Sequence, residues 1–186
     1  MNKIEPVPNV PIIKMGQNRT GPFCPKKGFE KMILKELRIV TWSGAATNCY
    51  IVQDEITKEA MVIDPAGDVD KIVEMLDILQ AKLKYIYLTH CHGDHIGGVL
   101  ELKESRGGQI VAERHAADNL KDPEINLTTY IGNKPLSVET DARVDDDDLI
   151  HVGELEFKVI HTPGHTSGCS CLYCEKEQLL FSGDTL

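Results

Sequence analysis

Three histidines and one aspartate lie within a segment of six residues, and side chains of these types at this spacing can hold a metal ion. The segment, residues 90–95, has the sequence HCHGDH and directly follows an apolar run. Imidazole and carboxylate groups are ligands that zinc accepts at about 2.0 to 2.2 Å. His90 and His92 alternate and can face one space, while Asp94 and His95 can turn toward a neighbouring space. We therefore predict a metal site here, and the glycine between the two pairs permits its tight path.

Two later segments carry the same types of ligand after apolar runs. Residues 161–166 have the sequence HTPGHT, which places His165 on a rigid turn, and the sequence FSGD ends at Asp184. Ligands gathered from the ends of several strands are held by a rigid scaffold. His161 is predicted to support a ligand or to pack, rather than to bind metal itself. Asp94 is in addition the predicted catalytic residue. The predicted metal ligands are His90, His92, Asp94, His95, His165 and Asp184.

Short apolar runs and helical patterns alternate along the part of the chain that carries these residues. Strands are predicted over residues 34–42, 48–53, 60–63, 84–88, 109–112, 149–152, 155–160, 169–173 and 179–182. Helices are predicted after Asp68 as the N-cap, through Leu100 and Leu102, and over residues 114–120. Residues 122–148 are predicted to be rich in loops. Short strands with helices between them predict a layered α/β domain.

The first 31 residues differ in composition from the rest of the chain. They contain five of the nine prolines and show no periodicity of a helix or a strand. Proline fixes φ and removes a backbone donor, so an irregular arm is predicted over residues 1–31. A length of 186 residues suits one domain, which we place over residues 32–186.

Charge and hydropathy argue against several classes of partner. The net charge is −9, and no basic footprint for nucleic acid is present in the sequence. No run approaches the roughly 18 to 20 apolar residues of a membrane helix. Without a secretory signal, we predict a cytoplasmic protein with reduced thiols that acts on a small molecule. The sequence leaves the oligomeric state open.

Several other conspicuous residues are predicted to be structural. Cys169, Cys171 and Cys174 lie on a strand-like run, where buried free thiols are common, and core positions are favoured over a metal site. The four aspartates at 145–148 lack the spacing and the glycine of a calcium loop, and they indicate a solvated acidic loop. His115 and His151 are isolated in the sequence and are predicted to be structural.

The segments THCHGDHIGG, HTPGHT and FSGDTL together resemble the metallo-β-lactamase fold superfamily, in particular its hydroxyacylglutathione hydrolase-like (glyoxalase II-like) members. The segments ATNCYIV and MVIDPAGD are similar too, and the resemblance covers about residues 32–186. It implies an αββα sandwich with a two-metal site at one edge. By position, His90, His92 and His165 would hold the first metal, Asp94 and His95 the second, and Asp184 both. Asp64 matches a carboxylate that supports the site without binding metal.

The chain departs from the family pattern after Asp184. In the family, a further histidine beyond the Gly-Asp motif binds the second metal, but this sequence ends at Leu186. We therefore expect the C-terminal part of the second half to be missing, as in a truncated reading frame or a fragment. We also expect the second of the two zinc sites to be incomplete.

The resemblance and the ligands together predict a metal-dependent hydrolase of small acyl thioesters. Zinc lowers the pKa of bound water from about 15.7 to about 7, and the resulting metal-bound hydroxide can attack a thioester carbonyl. Iron or manganese remains an alternative to zinc. Hydrolysis of lactones, β-lactams or phosphodiesters, iron-dependent persulfide oxidation, and an inactive metal-binding fragment remain alternative functions. The acyl group and the thiol of the substrate stay open.

Overall fold

Two β-sheets and a set of short helices form the computed structural model, which describes residues 12–13, 31–41, 44, 46–131 and 134–186. The strands are β1 (Ile12–Ile13), β2 (Met32–Val40), β3 (Ala46–Asp54), β4 (Glu59–Ile63), β5 (Lys82–Leu88), β6 (Gln109–Glu113), β7 (Ala142–Val144), β8 (Leu149–Val152), β9 (Leu155–His161), β10 (Ser170–Cys174) and β11 (Leu179–Phe181). The helices are α1 (Val69–Ile78), α2 (Gly93–Ile96), α3 (Val99–Arg106), α4 (Arg114–Asn119) and α5 (Thr128–Ile131), and a 3₁₀ turn spans Gly183–Thr185.

The first sheet has the strand order β2-β3-β4-β5-β6-β7, and the second has the order β1-β11-β10-β9-β8. In the first sheet, β4 to β7 are parallel, and Ile63 at the end of β4 is the partner of Tyr87 near the end of β5. The carboxyl ends of parallel strands meet at one edge of a sheet. The segments that follow β4 and β5 therefore lie side by side at that edge.

Two hydrophobic clusters lie on opposite faces of the first sheet. The cluster between the sheets joins residues such as Tyr50 and Tyr87 to Phe157 and Phe181 of the second sheet. The other cluster packs the opposite face of the first sheet against buried residues of α1 to α4. The predicted mixed α/β class is thus confirmed, with a helix layer and two sheet layers among the described residues.

The structure modifies two of the local predictions. Asp68 does precede α1, but its side chain makes no capping hydrogen bond, because its φ of 48° is left-handed rather than extended. Its carboxylate pairs instead with Lys71. Residues 122–148, predicted as loop, also contain the short elements α5 and β7. β7 forms because Val111 to Glu113 of β6 offer it a parallel partner, a long-range pairing that local composition does not reveal.

Most of the predicted N-terminal arm lies outside the described residues, as do Cys24 and Trp42. Within the arm, the described pair β1 lies parallel to β11 and aligns with Leu180 and Phe181. The boundary near Met32 stays a prediction. No helix among the described residues is long and apolar enough to cross a membrane.

The turn between β8 and β9 joins the two sheets through buried and half-buried carboxylates. Asp54 Oδ2 accepts a hydrogen bond from Glu154 N at 2.5 Å, and Glu59 Oε2 accepts one from Gly153 N at 2.8 Å. Gly153 has a φ of +59°, and an added Cβ there would collide with Thr57 Oγ1 and the Asp54 carboxylate. This turn therefore requires glycine for conformation and for space.

We expect Gly153→Ala to lower the free energy of unfolding by about 2 to 3 kcal/mol, because it adds strain and weakens the contact between the sheets. Urea denaturation measures the change. Gly164→Ala is the matched control, since no atom beyond its chain neighbours lies within 4 Å of a Cβ there and its φ is not positive. Equal stability of the two variants would contradict the expectation.

Candidate metal centre

Three chain segments meet where β5, β9 and β11 end. The first runs from His90 into α2, the second is the loop 162–168 after β9, and the third is the 3₁₀ turn after β11. Thr89 lies at the centre of the junction. Its carbonyl oxygen accepts a hydrogen bond from Ser170 N at 2.9 Å. A Cβ on Gly183 would lie 2.5 Å from Thr89 Oγ1, so the glycine allows the third segment to approach.

The structure brings His90, His92 and His165 together. Their ring centroids are 4.9 Å apart for His90 and His92, 5.0 Å for His90 and His165, and 4.6 Å for His92 and His165. His165 Nε2 lies 2.9 Å from His92 Nδ1. One nitrogen of each ring lies within 4.8 Å of the others, an arrangement that can surround one ion.

A second group consists of His90, His95 and Asp184, and one ligand atom of each of these residues lies within 4.8 Å of the others. Asp184 Oδ1 lies 3.4 Å from His95 Nε2, and its Oδ2 lies 3.5 Å from His165 Nε2. The carboxylate therefore faces both groups with different oxygens. Asp94 belongs to neither group in the described part of the chain. Its role as a ligand and catalytic residue stays a prediction, as does the assignment of each residue to a particular ion.

Asp64 supports the metal centre from its buried side. It is fully buried after β4, and its Oδ1 accepts a hydrogen bond from Thr89 N at 2.8 Å. Its Oδ2 accepts one from Thr89 Oγ1 at 2.6 Å and one from His95 Nδ1 at 2.9 Å. A carboxylate here can only accept, so His95 carries its proton on Nδ1 and turns Nε2 toward Asp184.

Burial and neighbouring charges set the protonation states. Burial, reinforced by the charge of His95, lowers the pKa of His90 to about 2. Burial also opposes charge on His95, but its bonds to Asp184 and Asp64 raise its pKa to about 10. The hydrogen bond from His95 lowers the pKa of Asp184 to about 2. His90 is thus neutral and Asp184 ionised at neutral pH, the forms in which they bind metals, whereas His95 would have to release the proton on Nε2 to bind one.

The residues fit a divalent cation. His90 Nε2 is buried and has no hydrogen-bond partner among the described residues, while its Nδ1 lies 3.1 Å from Thr89 Oγ1. Leaving such an atom unsatisfied costs about 1 to 3 kcal/mol, so it calls for a partner inside the centre. An ion between the imidazoles would provide one.

The cysteines are buried in the described part of the chain, and no candidate ligand group there includes one. Cys91 lies between two predicted ligands but packs into the cluster on the helix side of the first sheet. Cys169, Cys171 and Cys174 are buried, as predicted. Cys169 Sγ accepts a hydrogen bond from Thr166 N at 3.2 Å and so shapes the loop that carries His165.

Sequence reasoning missed a third group, formed by Glu113, His115 and His161. His115 was predicted to be structural, and Glu113 was not singled out. One signal was present: the acidic residue Glu113 ends an apolar strand, and His90 follows closely after the end of another, at Leu88.

The fold and this site together define a class: an α/β sandwich with a histidine- and carboxylate-lined metal centre at the edge where its two sheets meet. Residues 42–186 match the family model described as the Metallo-beta-lactamase superfamily. The chain belongs to this superfamily, and the predicted resemblance is confirmed.

Individual proteins with similar sequences or structures support this membership in the superfamily. An uncharacterized protein of Aquifex aeolicus is 39% identical over 81% of this chain and 70% of its own length. A hydroxyacylglutathione hydrolase of Pelagibacter ubique is 35% identical over 74% of this chain and 50% of its own length. The structure of BLEG-1 B3 metallo-beta-lactamase has a TM-score of 0.74 and 30% identity, covering 83% of this chain and 73% of that one. The structure of ETHE1 from Myxococcus xanthus has a TM-score of 0.65 and 28% identity, covering 83% and 58%. The chain thus spans half the length of the hydroxyacylglutathione hydrolase it matches.

Proposed function

We propose that the protein is a metal-dependent hydrolase of small acyl thioesters. The observation that carries this proposal is the position of the Asp184 carboxylate, which faces His95 with one oxygen and His165 with the other. Such a carboxylate suits a two-ion centre for hydrolysis. The similarity to hydroxyacylglutathione hydrolases supports a thioester as the substrate.

The proposed ligands are His90, His92 and His165 for one ion and Asp94 and His95 for a second, with Asp184 shared by both. Zinc bound there would supply a Lewis acid and would lower the pKa of bound water from about 15.7 to about 7. Asp64 keeps His95 in one tautomer and one orientation through its hydrogen bond to Nδ1.

Exposure indicates the side from which a substrate would reach the centre. The side chains of His165 and Asp184 are 38% and 33% exposed, whereas that of His95 is 2% exposed. A substrate would therefore approach over His165 and Asp184 and leave the buried imidazoles undisturbed. A thioester suits this site because a thiolate is a weak base that leaves without a proton from the protein.

Iron-dependent oxidation of a persulfide is the second candidate. His90, His95 and Asp184 form a set of two imidazoles and one carboxylate, which is the donor set of non-haem iron oxygenases. The structure is also similar to that of ETHE1 from Myxococcus xanthus.

We expect the protein to lose hydrolysis of acyl thioesters when a chelator removes its metal and to regain this activity when zinc is added. A thiol reagent measures the released thiol, and metal analysis accompanies each assay. Oxygen uptake with a persulfide after iron loading, without thioester hydrolysis after zinc loading, would instead support the second candidate.

A further inference from the structure

Glu113, His115 and His161 form a group that shares no side chain with the metal centre. Glu113 ends β6, His115 lies in α4 and His161 ends β9. One ligand atom of each lies within 4.8 Å of the others. Two imidazoles and a carboxylate are a donor set that zinc accepts.

The Glu113 side chain is only 2% exposed, and its two oxygens have different surroundings. Oε2 accepts hydrogen bonds from His115 N at 2.7 Å and Ala116 N at 3.2 Å, and so caps the start of α4. Oε1 faces imidazoles: His115 Nδ1 at 2.8 Å and His161 Nε2 at 4.0 Å. A buried carboxylate oxygen directed at two nitrogen donors is suited to a cation.

His161 is already fixed in position. Its backbone N donates to Asp146 Oδ1 at 2.8 Å, and its Nε2 lies 2.9 Å from the carbonyl oxygen of Ser167. That oxygen can only accept, so Nε2 carries the ring proton in this arrangement. An ion bound at Nε2 takes the place of this proton, which moves to Nδ1. The Ser167 oxygen, 2.9 Å from Nε2, must shift away to leave space for such an ion.

His115 is the adjustable member of the group. Its ring is parallel to that of His161, with an interplanar angle of 4° and centroids 5.3 Å apart. The lone pair of an imidazole nitrogen lies in the ring plane, so one of the rings must turn before both can bind one ion. The His115 side chain is 57% exposed and can make this turn, whereas that of His161 is 23% exposed.

We propose that Glu113, His115 and His161 form a separate binding site for a zinc ion. Its position ties it to the loop that carries His165. Ser167 in that loop accepts a hydrogen bond through Oγ from Asn119 Nδ2 at 2.9 Å, and Gly168 packs directly on Ala116. An ion at this site would join β6, β9 and this loop.

Zinc binding to the metal-free protein tests the proposal by equilibrium dialysis and metal analysis. The test variant is His115→Ala, and the matched control is His151→Ala. Their side chains are 57% and 58% exposed, and each lies beside one glutamate, but His151 faces no second imidazole in the described part of the chain. We expect His115→Ala to bind one equivalent of zinc fewer than the control. Equal numbers of equivalents and equal affinities would overturn the proposal.

Two further variants keep the result specific. His115→Gln retains a donor for Glu113 but is a poor zinc ligand, so it should also lose one equivalent while keeping the stability of the protein. His92→Ala should lose zinc from the metal centre and retain the equivalent that depends on His115. If the parent protein binds this equivalent of zinc but shows no thioester hydrolysis, only the proposed function is contradicted. If the parent protein is active but lacks this equivalent, only the site at Glu113, His115 and His161 is contradicted.

Discussion

Replacing His165 by alanine is expected to abolish the proposed thioester hydrolysis and to weaken zinc binding at the metal centre. His165 contacts His92 through a nitrogen pair 2.9 Å apart and faces Asp184 at 3.5 Å. It therefore contributes to the group of three imidazoles and lies against the carboxylate of the other group. We expect activity to fall by more than about a thousandfold, beyond the ~10- to 100-fold loss typical of residues that only support a ligand.

Steady-state assays and zinc dialysis on the same preparation measure the effect of His165→Ala. The side chain of His165 is 38% exposed, so its truncation should leave the free energy of unfolding of the metal-free protein nearly unchanged. His151→Ala should retain full activity. A His165→Ala variant with activity within about tenfold of the parent would exclude His165 as a metal ligand.

The second large effect is expected at Asp64. In Asp64→Ala, Thr89 N–H, the Thr89 hydroxyl and His95 Nδ1–H lose a shared acceptor in a fully buried place. Each buried donor left unsatisfied costs about 1 to 3 kcal/mol. Asp64 also has a φ of 50°, which alanine adopts at an added cost. We therefore expect the free energy of unfolding to fall by about 3 to 5 kcal/mol.

Asp64→Asn separates fold from metal binding. Asparagine tolerates the left-handed backbone and keeps one acceptor oxygen, but its amide group presents N–H to either Thr89 or His95. The variant should therefore be more stable than Asp64→Ala while its zinc affinity still falls by about 10- to 100-fold. Urea denaturation and zinc titration measure the two effects. Parent-like zinc affinity in Asp64→Asn would show that the orientation of His95 does not depend on this carboxylate.

The sequence predicted the ligand-bearing segments well because each of them follows a strand. Apolar runs and the turn residues that end them are local features, and they located His90, His165 and Asp184 at the ends of such runs. Which strand ends meet depends on the stacking of the two sheets. That stacking entered through the family resemblance rather than through periodicity, as did the supporting position of Asp64.

Contacts between distant segments escaped the sequence for the same physical reason. Glu113 and His161 lie on different sheets, and nothing in the spacing of either residue indicates that the strands carrying them end close together. The conformation of Asp68 also depended on details of the loop backbone rather than on residue type. For Asp94, the sequence predicts more than the structure shows. Its spacing predicts a metal ligand, but among the described residues it lies outside both groups of the centre.

The division of the metal centre among distant segments has a consequence for how the protein folds. His92 and His165 are 73 positions apart, and one precedes α2 while the other follows a strand of the second sheet. A nucleus made of neighbouring strands and helices would hold only one of these two imidazoles. Zinc would thus bind the centre tightly only after both sheets have docked, stabilising the native state by about 2.7 kcal/mol at a hundred times its Kd. Because these contacts would form after the rate-limiting barrier, the metal should slow unfolding and leave the folding rate nearly unchanged.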